Sequence, residues 1–522
     1  MLETNFVSLK NNWKSDVVSG FFVFLLALPL SLGIAKASGF PAAMGIFSAM
    51  VAGILTSFFR VSALSIKGPA AGLITICSGA ILEFGGGTEA WQIAAAAIVV
   101  AAVLQIVFGF LRFGTISDLF PYSVVFGMLA AIGIIILAKQ IPVLLGNDPS
   151  MYADKNPLEL LMDVPQFISN ANFEIALIGF LGIMIMFGLP ALKFSFAKKI
   201  PAPLLVLLLA IPLGLYFQFQ SKAPDYALVQ IGDFWGELKI RADFSWIGTF
   251  AFWKYVLMFL LVGTLESLLT VKAVDNIDPE RRKSDYNSDL KALGFGNFVA
   301  GMFGGLPTIS EVVRSSSNIT FGAKSKWSNF FHGVFFLLAM LLLIPQIELI
   351  PNAALAAMLI YAGYRLANPM NFIQIWRIGK EQMLIFLVTV IVTLLEDLLI
   401  GIFAGILVKM MLHLLNGVTL KDLFVAKYKI EEGDDSIKIS IQGAATFTHL
   451  MRYNKVFYNF SSAKNIIVDL SQCELIDHSF LLFLNGFTNN RELSGTKVKI
   501  EGMEKHKAFS KHAFATRNLK SH

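Results

Sequence analysis

Between Ala90 and Leu111 the chain runs for 22 residues without a single charged side chain. A helix that crosses the roughly 30 Å hydrocarbon core of a bilayer needs about 20 such residues, at 1.5 Å per residue. Comparable stretches start near residues 17, 40, 91, 121, 173, 201, 250, 326, 351, 381 and 399. Where two of them abut, Gly39–Pro41, Pro121, Pro201, Pro203 and Pro351 mark the breaks. Shorter segments lie at 70–83, 291–305 and 309–321, which brings the expected number of transmembrane helices to about fourteen. Backbone in lipid must satisfy its own hydrogen bonds, so the pattern specifies an all-α polytopic membrane domain.

The charge distribution sets a second boundary. In 418–522, 26 of 105 residues are charged, against 52 in the preceding 417. The first share, about a quarter, is that of a soluble domain, and the second is far below it. We therefore expect a membrane domain at 1–417 and a small soluble domain at 418–522. The net charge of +6 is modest and spread over loops, which suits an anionic membrane surface rather than nucleic acid. Cys77 and Cys473 make no disulfide framework or metal spacing. The polar start, Met1 to Asp16, lacks a cleavage-site pattern, so the first apolar run reads as a retained helix.

An even number of spans puts both termini on one side. With both ends cytoplasmic, the inside loops carry Arg60, Lys67, Arg112, Lys193, Lys198, Lys199, Lys272, Arg281, Arg282, Lys283, Lys324, Lys326, Arg365, Arg377 and Lys380. The loop at 139–172 is acidic, with Asp148, Asp154, Glu159 and Asp163. That asymmetry obeys the positive-inside rule. Trp91, Trp246, Trp253, Trp327 and Trp376 lie near segment ends, as an aromatic belt does.

Two short segments are broken by Gly and Pro: Ser65-Ile-Lys-Gly-Pro-Ala-Ala-Gly72 and Gly304-Gly-Leu-Pro-Thr-Ile-Ser310. Each opens the third segment of its half of the chain. Broken segments in matching places point to a transporter's substrate site. A helix that starts at mid-membrane aims its free N–H groups and positive dipole end into the cavity beside it. Read singly, each is an ordinary interhelical turn; paired, they make an anion site.

Glu266 lies inside an apolar run, where a charge is costly unless it faces the interior, so it is a functional candidate. It can carry a proton or, ionised, ligate Na⁺. Thr270 follows four residues later on the same helical face. Glu311 and Arg314 lie three apart, also on one face; Arg314 is expected to pair with Glu266 or Glu311, or to supply charge for the substrate. A structural ion pair bracing two helices is the plainer alternative. Lys36 and Lys139 read as snorkelling to the interface, and Glu396 and Asp397 as a solvated turn.

In the tail, Ser436–Gln442 alternates as a half-buried strand and Asn465–Leu470 is a continuous apolar run, as in a central strand. Lys497–Ile500 reads as another strand, and the run from Phe480 as a helix with Ser479 as its N-cap. Asp477 and His478 read as structural. The His residues of 504–522 match no standard metal spacing.

The chain resembles the SulP anion-permease family, which includes bacterial sulfate and bicarbonate carriers and prestin. Leu26-Ala-Leu-Pro-Leu-Ser-Leu-Gly-Ile-Ala35, Ala37–Pro41, Gly68-Pro69, Gly294-Phe-Gly-Asn297 and Arg314-Ser-Ser-Ser-Asn-Ile319 carry the resemblance, and the tail is similar to a STAS domain. The resemblance implies a seven-plus-seven inverted repeat, core and gate domains, an elevator motion and a homodimer. It implies an anion cradle of Ala70, Ala71 and Gly72 on one side and Ser310, Glu311 and Val312 on the other. Leu30 and Ile34 would line it, Arg314 would stand near the anion, and Glu266 with Thr270 would match a Na⁺ site. The second carboxylate, Glu311, and Glu rather than Asp at 266 turn the expectation towards H⁺.

The chain is thus expected to be no enzyme. It is expected to be a secondary active carrier of bicarbonate or sulfate in a bacterial-type plasma (inner) membrane, with no cofactor beyond a coupling H⁺ or Na⁺. No Walker motif is present for a primary pump. The alternatives are a nucleobase–proton symporter of the same fold and a membrane-anchored regulator whose STAS domain binds a cytoplasmic partner.

Overall fold

The computed structural model describes residues 2–87, 89–152, 155–191, 200–224, 227–236, 238–433, 436–460, 465–493 and 496–520. Asp154, Lys193, Lys198 and Lys199 of the charge asymmetry lie outside them. In chain order the main elements are α1 (Leu2–Ala37), α2 (Ala42–Thr56), β1 (Lys67–Pro69), α3 (Ile74–Glu83), α4 (Ala90–Phe110), α5 (Tyr122–Leu144), α6 (Phe173–Ala191) and α7 (Ala202–Tyr216). Next come α8 (Phe250–Ile277), α9 (Tyr286–Met302), β2 (Thr308–Ser310), α10 (Val312–Thr320), α11 (Trp327–Leu342), α12 (Asn352–Leu366), α13 (Pro369–Ile378), α14 (Lys380–Leu395) and α15 (Leu398–Leu415). The tail contains β3 (Lys427–Glu432), β4 (Ser436–Ala445), α16 (Leu450–Asn459), β5 (Asn465–Ile476), α17 (His478–Leu493), β6 (Lys497–Glu501), β7 (His506–Ala508) and β8 (Arg517–Leu519).

Among the described residues six helices are long and apolar enough to cross a bilayer: α1 from Val7, α4, α5, α6, α8 and α15. Four shorter apolar helices accompany them, at Ala42–Thr56, Ala71–Glu83, Ala202–Tyr216 and Trp327–Leu342. The chain is a multi-pass, mostly helical membrane protein.

Contacts divide it into two compact units, Met1–Gly114 with Ile132–Leu366, and Thr115–Ala131 with Ala367–His522. The compositional step at 417/418 falls inside the second. The first unit is packed through glycines. A side chain on Gly294 would strike the Ala102 carbonyl of α4, and Gly53 of α2 lies against Gly333 of α11. In lipid such close backbone approach replaces the hydrophobic drive as the source of helix association.

In the second unit β4, β5 and β6 are parallel neighbours, joined by α16 and α17 as crossovers. β3 pairs with β4, while β8 pairs with the end of β5 and with β7. The three expected strands are present; β3, β7 and β8 were not expected, being charged or only three residues long. β5 is central by pairing, yet its burial alternates: Ile466, Val468 and Leu470 enter the core. Asp469, on the other face, pairs with Lys438 at 3.0 Å. The sheet region is compatible with a STAS domain.

The cap of α17 differs from expectation. Asp477, not Ser479, is the capping residue: its Oδ1 accepts from the Phe480 N–H at 2.7 Å. Its Oδ2 accepts from the Phe447 N–H and pairs with Lys409 of α15 at 2.9 Å, both side chains fully buried. Burial alone would raise the Asp477 pKa, but Lys409, His413 and the Phe480 N–H hold it well below the usual carboxylate range. Ser479 is the second residue of α17, and its hydroxyl accepts from Lys409 at 3.0 Å.

Candidate anion site at two helix N-termini

The two broken segments meet. β1 and β2 form an antiparallel ribbon in register Lys67↔Ser310, Gly68↔Ile309 and Pro69↔Thr308. After Pro69 a 3-10 turn at Ala71–Leu73 leads into α3; after Ser310 the chain enters α10, with Glu311 as N-cap. Antiparallel pairing makes the chain leave the ribbon at opposite ends, at Pro69 towards α3 and at Ser310 towards α10, about 7 Å apart at 3.4 Å per residue. Both N-termini are therefore directed at one region, where unpaired N–H groups and the dipole favour an anion.

Polar side chains hold the ribbon at this depth. Asn297 of α9 accepts from the Thr308 N–H and hydroxyl at 2.7 and 2.6 Å and donates to the Thr308 carbonyl. The Ser310 N–H donates to Ser267 Oγ of α8, and the Lys67 N–H to Asn329 Oδ1 of α11. The Glu311 N–H and the Ile66 carbonyl close the junction at 3.0 Å.

Lys67 was expected in a cytoplasmic loop; it is instead fully buried. Its Nζ donates to both oxygens of Asp289 at 2.9 and 3.0 Å, to Ser65 Oγ and to Ser310 Oγ. Asp289 also accepts from the Ser62 N–H. Every donor of the ammonium is used, which is what makes a buried ion pair tolerable. The hint in the sequence was the Gly-Pro directly after Lys67, which marks broken backbone rather than loop.

Arg314 is 1% exposed. Its Nη2 donates to Ser31 Oγ of α1 at 3.2 Å and to the Pro69 carbonyl at 2.9 Å. Nε and Nη1 have no protein partner. The expected ion pair with Glu266 or Glu311 is not formed. The reason is local: Glu311 is extended, at φ −111° and ψ 129°, so it is not on a shared helical face with Arg314. Its carboxylate turns back and accepts from the Arg314 backbone N–H at 2.6 Å. The guanidinium lies against Gly68, where any side chain would overlap Nη1.

Glu266 is half-buried, and its carboxylate lies against Gly72 in the first turn before α3. Oε1 has no hydrogen-bond partner. Each of the two helix starts thus has a carboxylate of the chain beside it: Glu266 at α3 and Glu311 at α10. The two are close enough to repel each other. Ala70, Gly72, Thr270 and Ser310 are buried around this point, and Ile34 is 4% exposed on α1. Leu30, Ala71 and Glu311 are half-buried, whereas Val312 is 47% exposed.

Ser31, Lys67, Asn297 and His332 were not assigned to the site from the sequence. His332 of α11 is fully buried near Arg314, with neither ring nitrogen bonded. Short polar side chains within apolar helices carry no signal until the fold shows which backbone they meet. Among the described residues no group of three metal-ligating side chains occurs.

Of the two lysines read as interfacial, Lys139 differs from expectation. Both line a cavity of about 450 Å³: Lys36 is exposed, as expected of an interfacial lysine, whereas Lys139 is half-buried and donates to Ser78 Oγ of α3 at 2.9 Å.

A family profile described as "Sulfate permease family" matches residues 13–389. YvdB of Bacillus subtilis (strain 168) is 28% identical over 401 residues, 76% of this chain and 72% of that protein. The bicarbonate transporter BicA of Picosynechococcus sp. is 25% identical over 441 residues, 82% of this chain and 75% of its own. Among solved structures, the transmembrane domain of a cyanobacterial BicA superposes with a TM-score of 0.63 at 21% identity, covering 76% of this chain and 97% of that one. The murine Solute Carrier 26 family member A9 anion transporter superposes with a TM-score of 0.67 at 16% identity, covering 94% and 86%.

Proposed function

This chain belongs to the sulfate permease family, a family of sulfate and bicarbonate transporters, and on that premise we propose that it carries a small inorganic anion, bicarbonate or sulfate, by secondary active transport coupled to H⁺ or Na⁺. The observation that carries this reading is Arg314. A buried guanidinium with two unbonded nitrogens and no bonded carboxylate leaves positive charge without a paired counter-ion in the first turn of α10. Charge buried in that way is costly unless an anion of the right size completes it.

Coupling follows from the carboxylates. Ionised Glu266 at α3 and Glu311 at α10 stand where the dipoles would otherwise hold the cargo. Neutralising Glu266 with H⁺, or with Na⁺ held by Glu266 and Thr270, frees the α3 start for the anion. The cradle is then Ala70, Ala71 and Gly72 opposite Ser310, Glu311 and Val312, with Leu30 and Ile34 as apolar wall. On this reading the fold is a fourteen-helix, seven-plus-seven inverted repeat with core and gate domains, working as an elevator. The protein is a homodimer in a bacterial inner membrane, with both termini and a STAS domain at 418–522 in the cytoplasm.

The pair Glu266 and Glu311 favours one second reading, a nucleobase–proton symporter. A single panel separates the two: uptake of labelled bicarbonate, sulfate, uracil and xanthine into proteoliposomes, with and without Na⁺, at two pH values. Saturable, gradient-driven anion uptake that Glu266→Gln uncouples from the gradient supports the proposal. No anion uptake under any H⁺ or Na⁺ gradient overturns it.

A further inference from the structure

The cavity of about 450 Å³ lies in the first unit, and its lining includes Lys36, Lys139, Ser78, Gln140, Asn352 and Asp148. At about 30 Å³ per water it holds on the order of ten waters or more, so it is a wet chamber rather than a tight pocket. Two of the helices that frame the Arg314 site also frame this chamber. Lys36 is five residues beyond Ser31 on α1, about 7.5 Å along the axis, and Ser78 is six beyond Gly72, about 9 Å along α3. Gly33 of α1 lines it as well. The chamber therefore reaches to within two residues of Ser31, which bonds the guanidinium, and extends about one and a half turns beyond it.

Its charge balance is uneven. Lys36 has no ion-pair or hydrogen-bond partner among the described residues, and Lys139 has only the Ser78 hydroxyl. Asp148 is the one acid among the described lining residues. Ammonium groups with low-dielectric walls behind them focus their field into such a cleft and raise the local concentration of counter-ions.

We propose that this chamber is an anion vestibule, in which Lys36 and Lys139 gather small oxyanions ahead of the site at Arg314. This rests on the anion-carrier reading and adds a second, weaker binding place to it. The same chemistry would also take the phosphate of an anionic lipid, and the test separates the two sources.

The test uses full-length protein carrying Lys36→Cys or Lys139→Cys in proteoliposomes, with labelled bicarbonate and sulfate as probes. Cys77 and Cys473 are both buried, so a water-soluble thiol reagent marks the new cysteine. We expect each variant to raise KM several-fold with a smaller change in kcat. An aminoethyl methanethiosulfonate, which restores a cation, should bring KM back, and a sulfonatoethyl reagent should raise it further. The difference should shrink between about 0.01 M salt, where the Debye length is about 30 Å, and about 1 M, where it is about 3 Å. It should be the same in neutral and in anionic vesicles.

Equal KM values with either reagent would overturn the proposal, as would an effect confined to anionic vesicles, which would assign the lysines to a lipid headgroup. Lys139→Cys removes the bond to Ser78; should that variant misfold, Lys36→Cys, at an exposed position, decides alone. Absence of anion uptake by the unmodified protein would instead count against the carrier reading itself.

Discussion

Gly72 has no side chain because the carboxylate of Glu266 lies where a Cβ would be. A residue of α8 thereby reaches the backbone at the start of α3, and one glycine fixes the distance between an ionisable group and a helix N-terminus. Gly72→Ala must push the flexible Glu266 carboxylate away from the start of α3, at little cost in packing. We expect gradient-driven uptake in proteoliposomes to fall, because the carboxylate no longer reaches that backbone. Adding Glu266→Ala should relieve the overlap without restoring gradient-driven uptake.

The Lys67–Asp289 pair makes a prediction about stability alone. Asp289→Asn leaves a buried ammonium without its counter-charge, which costs about 3–5 kcal/mol. Replacing both partners, as Lys67→Met with Asp289→Leu, should recover most of that loss, because a buried pair and an apolar pair of similar volume differ little. Melting of the purified protein in detergent reads both. Equal melting of the single and double variants would contradict this account of the clamp.

Much of this site was legible in the sequence, and the limits of legibility have physical causes. Gly68-Pro69 and Gly304–Pro307 announced two broken helices, because Gly and Pro act on the backbone locally. Glu266 and Arg314 stood out because charge is rare in apolar runs. What the sequence did not show is partnership. Lys67 looked like one more loop cation until Asp289, 222 residues away, was seen against it. Glu311 and Arg314 looked like neighbours on a helix, but the helix starts between them, so the contact is a cap. Lys36 and Lys139 looked interfacial because a lysine near a helix end usually is; only the packing of α1, α3, α5 and α12 makes the chamber they line. In the tail, alternation revealed β4 and β5, whereas the three-residue strands β7 and β8 are too short to carry a period.

Glu311→Gln separates charge from capping. The Gln carbonyl can still accept from the Arg314 N–H, so the cap survives while the negative charge at α10 is removed. We expect a lower KM for the anion. Glu311→Ala loses the cap as well, at about 1 kcal/mol, and should melt earlier. An unchanged KM for Glu311→Gln would show that this carboxylate does not compete with cargo.

The tail should respond to acid through His478. Burial pulls its pKa down to about 4, against the opposing hydrogen bond to the Phe514 carbonyl. Its unfolded value is about 6.5. The folded state therefore binds fewer protons between these values, and the stabilisation present above pH 6.5 is lost as pH falls towards 4. The full effect is about 3 kcal/mol. Burial lowers His449 in the same direction. Asp477 has the same sign of linkage in a lower window: its pKa is also depressed, so it loses its charge, and the stability that charge confers, only under much stronger acid. Hydrogen exchange over 436–520, corrected for intrinsic rate, should accelerate across that interval, and His478→Asn, which keeps a donor for Phe514, should blunt the change.

The central claim is that Arg314 receives the cargo anion, and equilibrium binding of labelled sulfate and bicarbonate to purified protein tests it most directly. Charged hydrogen bonds contribute about 1.5–3 kcal/mol each, so Arg314→Gln should weaken binding by roughly ten- to a hundredfold while the variant remains folded. Binding of both anions by folded Arg314→Gln at the affinity of the unaltered protein would contradict the account.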